Sequence, residues 1–229
     1  MKLDRRTMLA GLAGLLGGSH AFAQDNDLPV AHGRLANNAL ALKFQKARPD
    51  LPDVNLVGPK GEFGIDKLKG RTILMPLWAE WCTPCLSELT EFARLQQKYR
   101  NDKFSIVPVL SGTHKSMTPN DVANVLNTVH AGALAPLMEE YGGDLLVRAM
   151  ARISKRIVLP CNLLIAPNGT VVGRQIEQDM PMSGMPPWGP RPKEDPEAIT
   201  RAVAAQPPSL WGKPDGEEFV AAMAAGFLG

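Results

Sequence analysis

The sequence predicts an α/β fold, and three observations carry that prediction. Apolar runs of strand length, Thr72 to Leu77, Phe104 to Leu110 and Ile157 to Ala166, alternate with stretches of helical periodicity. Turn signals separate them, Gly58-Pro59-Lys60-Gly61 and Pro167-Asn168-Gly169-Thr170. At 229 residues with 45% hydrophobic side chains, the chain suits one domain with embellishments and a sizeable core.

Residues 1–23 read as an export signal. Lys2, Arg5 and Arg6 give a basic start, Met8 to Gly18 a short apolar stretch, and Ala21-Phe22-Ala23 a small-x-small cleavage site, so the mature chain should begin at Gln24. Arg5-Arg6 followed by Thr7-Met8-Leu9 resembles a twin-arginine signal; an ordinary Sec signal fits as well. With no cysteine near residue 20 a lipid anchor is not expected, and no later segment is long and apolar enough to span a bilayer. The expected location is the periplasm, soluble after cleavage, where disulfide chemistry is possible. The formal charge of +2 owes much to the leader: three bases and one acid lie in residues 1–23, leaving 22 of each beyond. That balance argues against nucleic acid or an anionic membrane as partner.

Gln24 to Pro52 forms an N-terminal extension, with helical spacing over Arg34 to Lys46 and Pro49 and Pro52 ending it. Residues 53–229 form the domain. Val54 to Val57 and Glu62 to Ile65 make a hairpin, Asp66 to Gly70 a short helical connector, and Arg71 to Leu77 the central strand. Leu86 to Arg100 is a helix with Cys85, Leu89, Phe92, Leu95 and Tyr99 on one core face. Phe104 to Leu110 is the next buried strand, and Asp121 to about Val129 a helix capped by Asn120. Met138 to Met150 continues as a helical pattern. Ile157 to Ala166 is a strand with Pro160 inside it, a residue confined to edges or special bends, and Val171 to Ile176 is its hairpin partner. Residues 178–208 hold eight prolines and read as an irregular insertion with one short helix, Pro196 to Ala205. A final helix, Glu217 to Leu228, turns Phe219, Val220, Met223 and Phe227 inward.

The chemistry concentrates in Trp78-Ala79-Glu80-Trp81-Cys82-Thr83-Pro84-Cys85. A buried strand feeds two cysteines into a helix start, where partial positive charge and unpaired N–H donors favour a thiolate. Cys82 should attack, and Cys85, one turn in, should resolve the mixed disulfide. Pro84 fits a first turn, whose N–H groups lack intrahelical partners. Half a structural zinc site and a structural disulfide are the other readings of this spacing. Zinc needs about four ligands, whereas only three cysteines are present and His20, His32, His114 and His130 are scattered. The strand-before, helix-after context favours redox chemistry.

In the order of these features the chain resembles the TlpA/ResA-type branch of thioredoxin-like proteins, the exported thiol–disulfide oxidoreductases. Gly61 to Gly70, Trp78 to Cys85 with Glu88 beyond, and Leu159-Pro160 to Ile165 followed by Asn168-Gly169 carry the resemblance, which spans about Leu51 to Ile176 plus the last helix. It implies a thioredoxin-like fold: a central mixed sheet flanked by helices, with an N-terminal hairpin, a strand–helix insertion between the redox motif and the proline, and here a Met- and Pro-rich C-terminal insertion. It also implies catalysis through a Cys82–Cys85 redox disulfide, with Glu88 moving the Cys85 proton. Trp81, Leu159 and a cis Pro160 would bind substrate. The partners implied are client proteins with disulfides and a membrane-bound electron donor, and the direction favoured is reduction. Three features depart from the family: Pro76 in the central strand, where distortion is expected, Cys161 in place of a threonine, and the insertion at 178–208.

Cys161 allows three readings: a small buried strand residue, a third redox thiol near Cys82, or one of three thiolates holding Cu(I). Met180, Met182 and Met185 invite copper too, although a Met-rich loop also packs as an adaptable lid. The competing function is therefore a copper-binding or copper-delivery protein. Glu80 is expected to be a solvated surface charge.

Overall fold

The structure is a computed structural model describing residues 43–44, 50–51, 54–111, 117–140, 145, 159–176 and 195–228. They lie within a unit of the chain spanning Ala31–Gly229. The leader, most of the extension, residues 178–194 of the insertion, and residues 141–144 and 146–158, which hold most of the helical pattern expected over Met138 to Met150, lie outside the described residues.

Strands β1 (Lys43–Phe44), β2 (Leu56–Gly58), β3 (Gly61–Phe63), β4 (Thr72–Trp78), β5 (Phe104–Ile106), β6 (Val109–Leu110), β7 (Leu137–Glu139), β8 (Cys161–Ile165) and β9 (Val171–Ile176) form one mixed sheet. Its order is β1-β9-β8-β4-β6-β7-β2-β3, with β5 also on β4. The helices are α1 (Thr83–Tyr99), α2 (Pro119–Thr128), α3 (Pro196–Ala204) and α4 (Pro214–Ala224). This is the thioredoxin-like architecture the resemblance implied: β4 at the centre, parallel to β5 and β6 on one side and antiparallel to β8 on the other.

The hairpin β2–β3 closes at Gly58 opposite Gly61, whose φ of +97° suits a residue without Cβ. The connector is a short 3-10 helix, Ile65–Leu68. β4 is buried along its whole length. Its ladder to residues 104–110 pairs Thr72–Leu74 with β5 and Leu77–Trp78 with β6. The break between them falls where Pro76 and Pro108 lie, and a proline offers no ladder donor. The single strand expected over Phe104 to Leu110 is therefore two.

Other expectations change in detail. Lys43–Phe44, expected within a helix, is instead a strand pairing with β9. Leu42, Phe44 and their polar neighbours also alternate with period two, and β9 supplies a ladder that propensity cannot anticipate. Helix α2 is capped by Thr118 rather than Asn120. Thr118 Oγ1 accepts from the Asp121 N–H at 3.3 Å, and Asp121 Oδ2 accepts from the Thr118 N–H at 2.8 Å, with Pro119 at the first turn. Leu137–Glu139 is a strand between β6 and β2, not the start of a helix; Leu145 is helical.

The two faces of the sheet differ. Ile73, Met75, Leu77, Cys161, Leu163 and Ile165 belong to one apolar cluster. The alternate residues of β4 and β8 point to the face that carries α1. Beyond α1, Trp211 is fully buried and stacks against Phe92 at 5.0 Å and Phe219 at 6.0 Å between ring centroids. Phe219, Val220 and Met223 are buried as expected, and Phe227 is half-buried.

Candidate active site

Cys82 is the N-cap of α1, and its Sγ accepts the Cys85 N–H at 3.4 Å. The chain reaches this position through a turn in which the Cys82 N–H donates to the Ala79 carbonyl at 3.0 Å. Pro84 lies in the first turn, where no N–H is needed. Cys82 and Cys85 are joined in a disulfide with Cα atoms 5.3 Å apart, so the redox-active disulfide is present. Both cysteines are buried, and Trp81, Thr83 and Pro84 are half-buried around them. The Cys85 N–H and the positive end of α1 face Cys82 Sγ, and both favour a thiolate there.

The Leu159–Pro160 peptide is cis, as expected. β8 begins at Cys161 opposite Leu77, so this peptide lies at the same end of the sheet as Trp78 and the dithiol turn. Leu159 is half-buried and Pro160 buried.

Glu88 lies one turn beyond Cys85 and is only 5% exposed. Asn162 Nδ2 donates to Glu88 Oε2 at 3.1 Å and to Gln175 Oε1 at 2.8 Å. Glu88 is thus buried between α1 and the sheet, one helical turn after Cys85. Its contacts were missed. Asn162 interrupts an apolar run two residues after Pro160, and a polar amide there signals a partner. Gln175 is recognisable only once β8 and β9 are in register, because it stands directly opposite Asn162. A second buried carboxylate was also missed. Glu139 accepts from the Ser111 hydroxyl and from the Leu145 N–H, and the Ser111 N–H donates to the Trp78 carbonyl at 2.7 Å.

Cys161 is fully buried on the face opposite α1, packed with Met75, Leu77 and Leu163. Burial pushes its thiol up to about 12; Arg174 opposes this and the charge of Glu88 adds to it. It is a free thiol within the core. Among the described residues, no group of three or more His, Cys, Asp or Glu side chains is placed to hold a metal ion. The three-thiolate copper site weighed from the sequence is therefore not formed, and Met180, Met182 and Met185 lie outside the described residues. Glu80 also departs from expectation. It is half-buried, with Oε2 enclosed and without a hydrogen-bond partner among the described residues. Among those residues no helix is long and apolar enough to cross a membrane.

Comparison with known proteins places these features in context. A 59-residue stretch is 37% identical to the thioredoxin-like protein YneN of Bacillus subtilis (strain 168), covering 25% of this chain and 34% of that protein. A thioredoxin-family thiol:disulfide interchange protein from Chlorobium tepidum TLS is 22% identical over 70% of this chain and 97% of its own, with a TM-score of 0.46. A putative thiol:disulfide interchange protein DsbE from Chlorobium tepidum is 22% identical over 71% and 98%, with a TM-score of 0.45. The Redoxin family matches residues 45–185. That match takes in the dithiol, Glu88, the cis-proline and both strands of the β8–β9 hairpin, and covers more than half of the sequence: the chain belongs to the Redoxin family.

Proposed function

We propose that this chain is an exported protein disulfide reductase working through Cys82 and Cys85. One observation carries the reading: a disulfide at the first turn of a helix, with Sγ of Cys82 facing the helix's own N–H donors. In the reduced protein the Cys82 thiolate attacks one sulfur of a client disulfide. A Cys82–client disulfide forms and one client thiolate leaves. Cys85 then gives its proton to Glu88 and attacks Cys82 Sγ, releasing the second client thiolate and closing the Cys82–Cys85 disulfide. Two electrons pass to the client. A membrane-bound dithiol donor returns the chain to its reduced form, and the periplasm is the compartment that suits this cycle.

Trp81 and the Leu159–Pro160 segment are assigned to the client. They lie at the dithiol end of the sheet, where an extended client segment can align with the backbone of Leu159 before β8 begins. Reduction of a protein disulfide by the mature chain, together with the reduction potential of the Cys82–Cys85 pair, tests this reading. Turnover with a potential near about −270 mV, the thioredoxin range, is expected; a potential near about −120 mV reverses the direction, and no exchange refutes the reading.

A further inference from the structure

We propose that Asn162 and Gln175 form an amide pair that positions Glu88 in both of its protonation states, keeping the hydrogen bonds of this buried cluster whether or not the carboxyl carries a proton. The inference rests on the reading of Glu88 as the proton carrier for Cys85 and adds two residues that act through it.

The cluster is enclosed: Glu88 is 5%, Gln175 3% and Asn162 1% exposed. Asn162 spends both of its N–H donors, one on Glu88 Oε2 and one on Gln175 Oε1. That arrangement suits an ionised Glu88, because a donor to the charged form favours it. The other end of the same amide is different. Asn162 Oδ1 is buried with no hydrogen-bond partner among the described residues. No third donor pins the amide, so its orientation is set by Glu88 and Gln175 alone.

An amide has two donors on nitrogen and two acceptor sites on oxygen, in nearly the same shape. When Glu88 takes a proton, its O–H becomes a donor. A half-turn of the Asn162 amide then presents Oδ1 to that O–H, and a matching half-turn of Gln175 presents Nε2–H to the same oxygen. The count of bonds in the cluster is preserved, and the two residues face each other across the β8–β9 register, which holds them at the required spacing. The charged and titratable groups around this cluster, among the described residues, are few. Cys82 and Cys85 lie at the head of α1, Cys161 on β8 and Arg174 on β9, while β4 carries none. Cys161 and Arg174 belong to the positions that alternate with Asn162 and Gln175, and the charges of Arg174 and Glu88 both reach the Cys161 thiol.

Infrared titration of the Glu88 carboxyl tests this in the oxidised protein, where Cys82 and Cys85 do not titrate. The band is assigned by its loss in Glu88→Gln. In Asn162→Leu the carboxylate loses a charge-assisted donor and the acid a weaker neutral acceptor, so the midpoint should rise by about one pH unit, a tenfold gain in proton affinity. The C=O band of the protonated carboxyl should also move as its O–H loses Oδ1; a C=O band that does not move shows that the amide serves the ionised form alone and overturns the proposal. Gln175→Met should raise the midpoint less, and on this proposal should add nothing in the Asn162→Leu background, because its effect passes through the Asn162 amide. Asn162→Ser, too short to span both partners, serves if the leucine variant does not fold. An unchanged midpoint, or a Gln175→Met shift that is the same in both backgrounds, overturns the proposal. A purely structural role would lower stability without moving the midpoint. No client is needed, so a failure of disulfide reduction and a failure of the amide pair are read separately.

Discussion

Cys161 and Asn162 are consecutive residues whose side chains leave β8 on opposite faces. Asn162 points to α1 and joins a polar cluster with Glu88, one helical turn from Cys85. Cys161 points into an apolar layer of Met75, Leu77 and Leu163. The same residue type thus occurs in two environments a few ångströms of sheet apart. At the head of α1 a thiol meets N–H donors and a helix terminus; beneath β8 it meets hydrocarbon. Reactivity follows the environment and not the count of sulfurs, so a chain with three cysteines carries one redox pair and one core residue.

The largest expected effect separates the two sites by function. Cys82→Ser should abolish disulfide reduction, whereas Cys161→Ala should leave its rate within about twofold, since surface and core changes away from the chemistry act on stability. A loss of turnover in Cys161→Ala would erase the contrast. Alkylation of the reduced, folded protein sharpens it. With its thiol at about 12, Cys161 holds about one part in ten thousand as thiolate at pH 8, against about a tenth for a thiol at the ordinary 9.0. Burial raises this thiol and also shuts out the reagent, so modification of Cys161 should be far slower in the folded protein than in urea, while Cys82 labels readily. Mass spectrometry after timed alkylation gives both rates.

The same burial couples Cys161 to stability. The folded state keeps its proton more tightly than the unfolded state does. The contribution is therefore fully present below pH 9 and is lost as pH rises from there toward 12. The slope in that window is at most about 1.4 kcal/mol per pH unit. Urea midpoints at pH 8 and pH 10 should fall further apart in the wild type than in Cys161→Ala. Equal shifts would show that the thiol is not desolvated.

The smallest effect belongs to the outer end of α1, where a carboxylate is held by charge at the surface. Lys98, Tyr99 and Arg94 hold Glu217 of α4 down at about 2, with Tyr99 at 2.9 Å and Arg94 at 3.1 Å. A depressed carboxylate adds stability above its ordinary 4.5 and loses it as pH falls toward 2. The Glu217 side chain is about a third exposed and its Lys98 and Arg94 partners more so, so salt screens the cluster and Glu217→Gln should lower the melting temperature only slightly, less so in high salt. A large loss would place this clamp among the main supports of α4, above the stacking of Trp211 on Phe92 and Phe219.

The dithiol, the active-site helix and a bend at Pro160 were legible in the sequence, because each rests on a local rule; the cis geometry of Pro160 came only through the family resemblance. Spacing puts Cys82 and Cys85 on one helical turn, Pro84 marks a helix start, and Pro160 inside an apolar run marks a bend. Glu88 was legible only through the family resemblance; three residues past a cysteine, a glutamate is ordinary. What stayed hidden depends on register between strands. Gln175 meets Asn162 only because β9 pairs with β8 in one frame, and a slip of one residue in β9 would turn Gln175 to the opposite face. The face of Cys161 was hidden for the same reason, and this left the redox and copper readings open. Lys43–Phe44 and Leu137–Glu139 became strands because neighbouring strands supplied partners, which local pattern does not record.

Trapping tests the central claim most directly. Cys85→Ser in the reduced state, mixed with a protein disulfide, should accumulate a covalent complex joined through Cys82. Cys82→Ser should accumulate none, and removing Cys161 should change neither result. A complex joined through Cys161, or equal trapping by the two single variants, would contradict the assignment of Cys82 as nucleophile and Cys85 as resolving thiol.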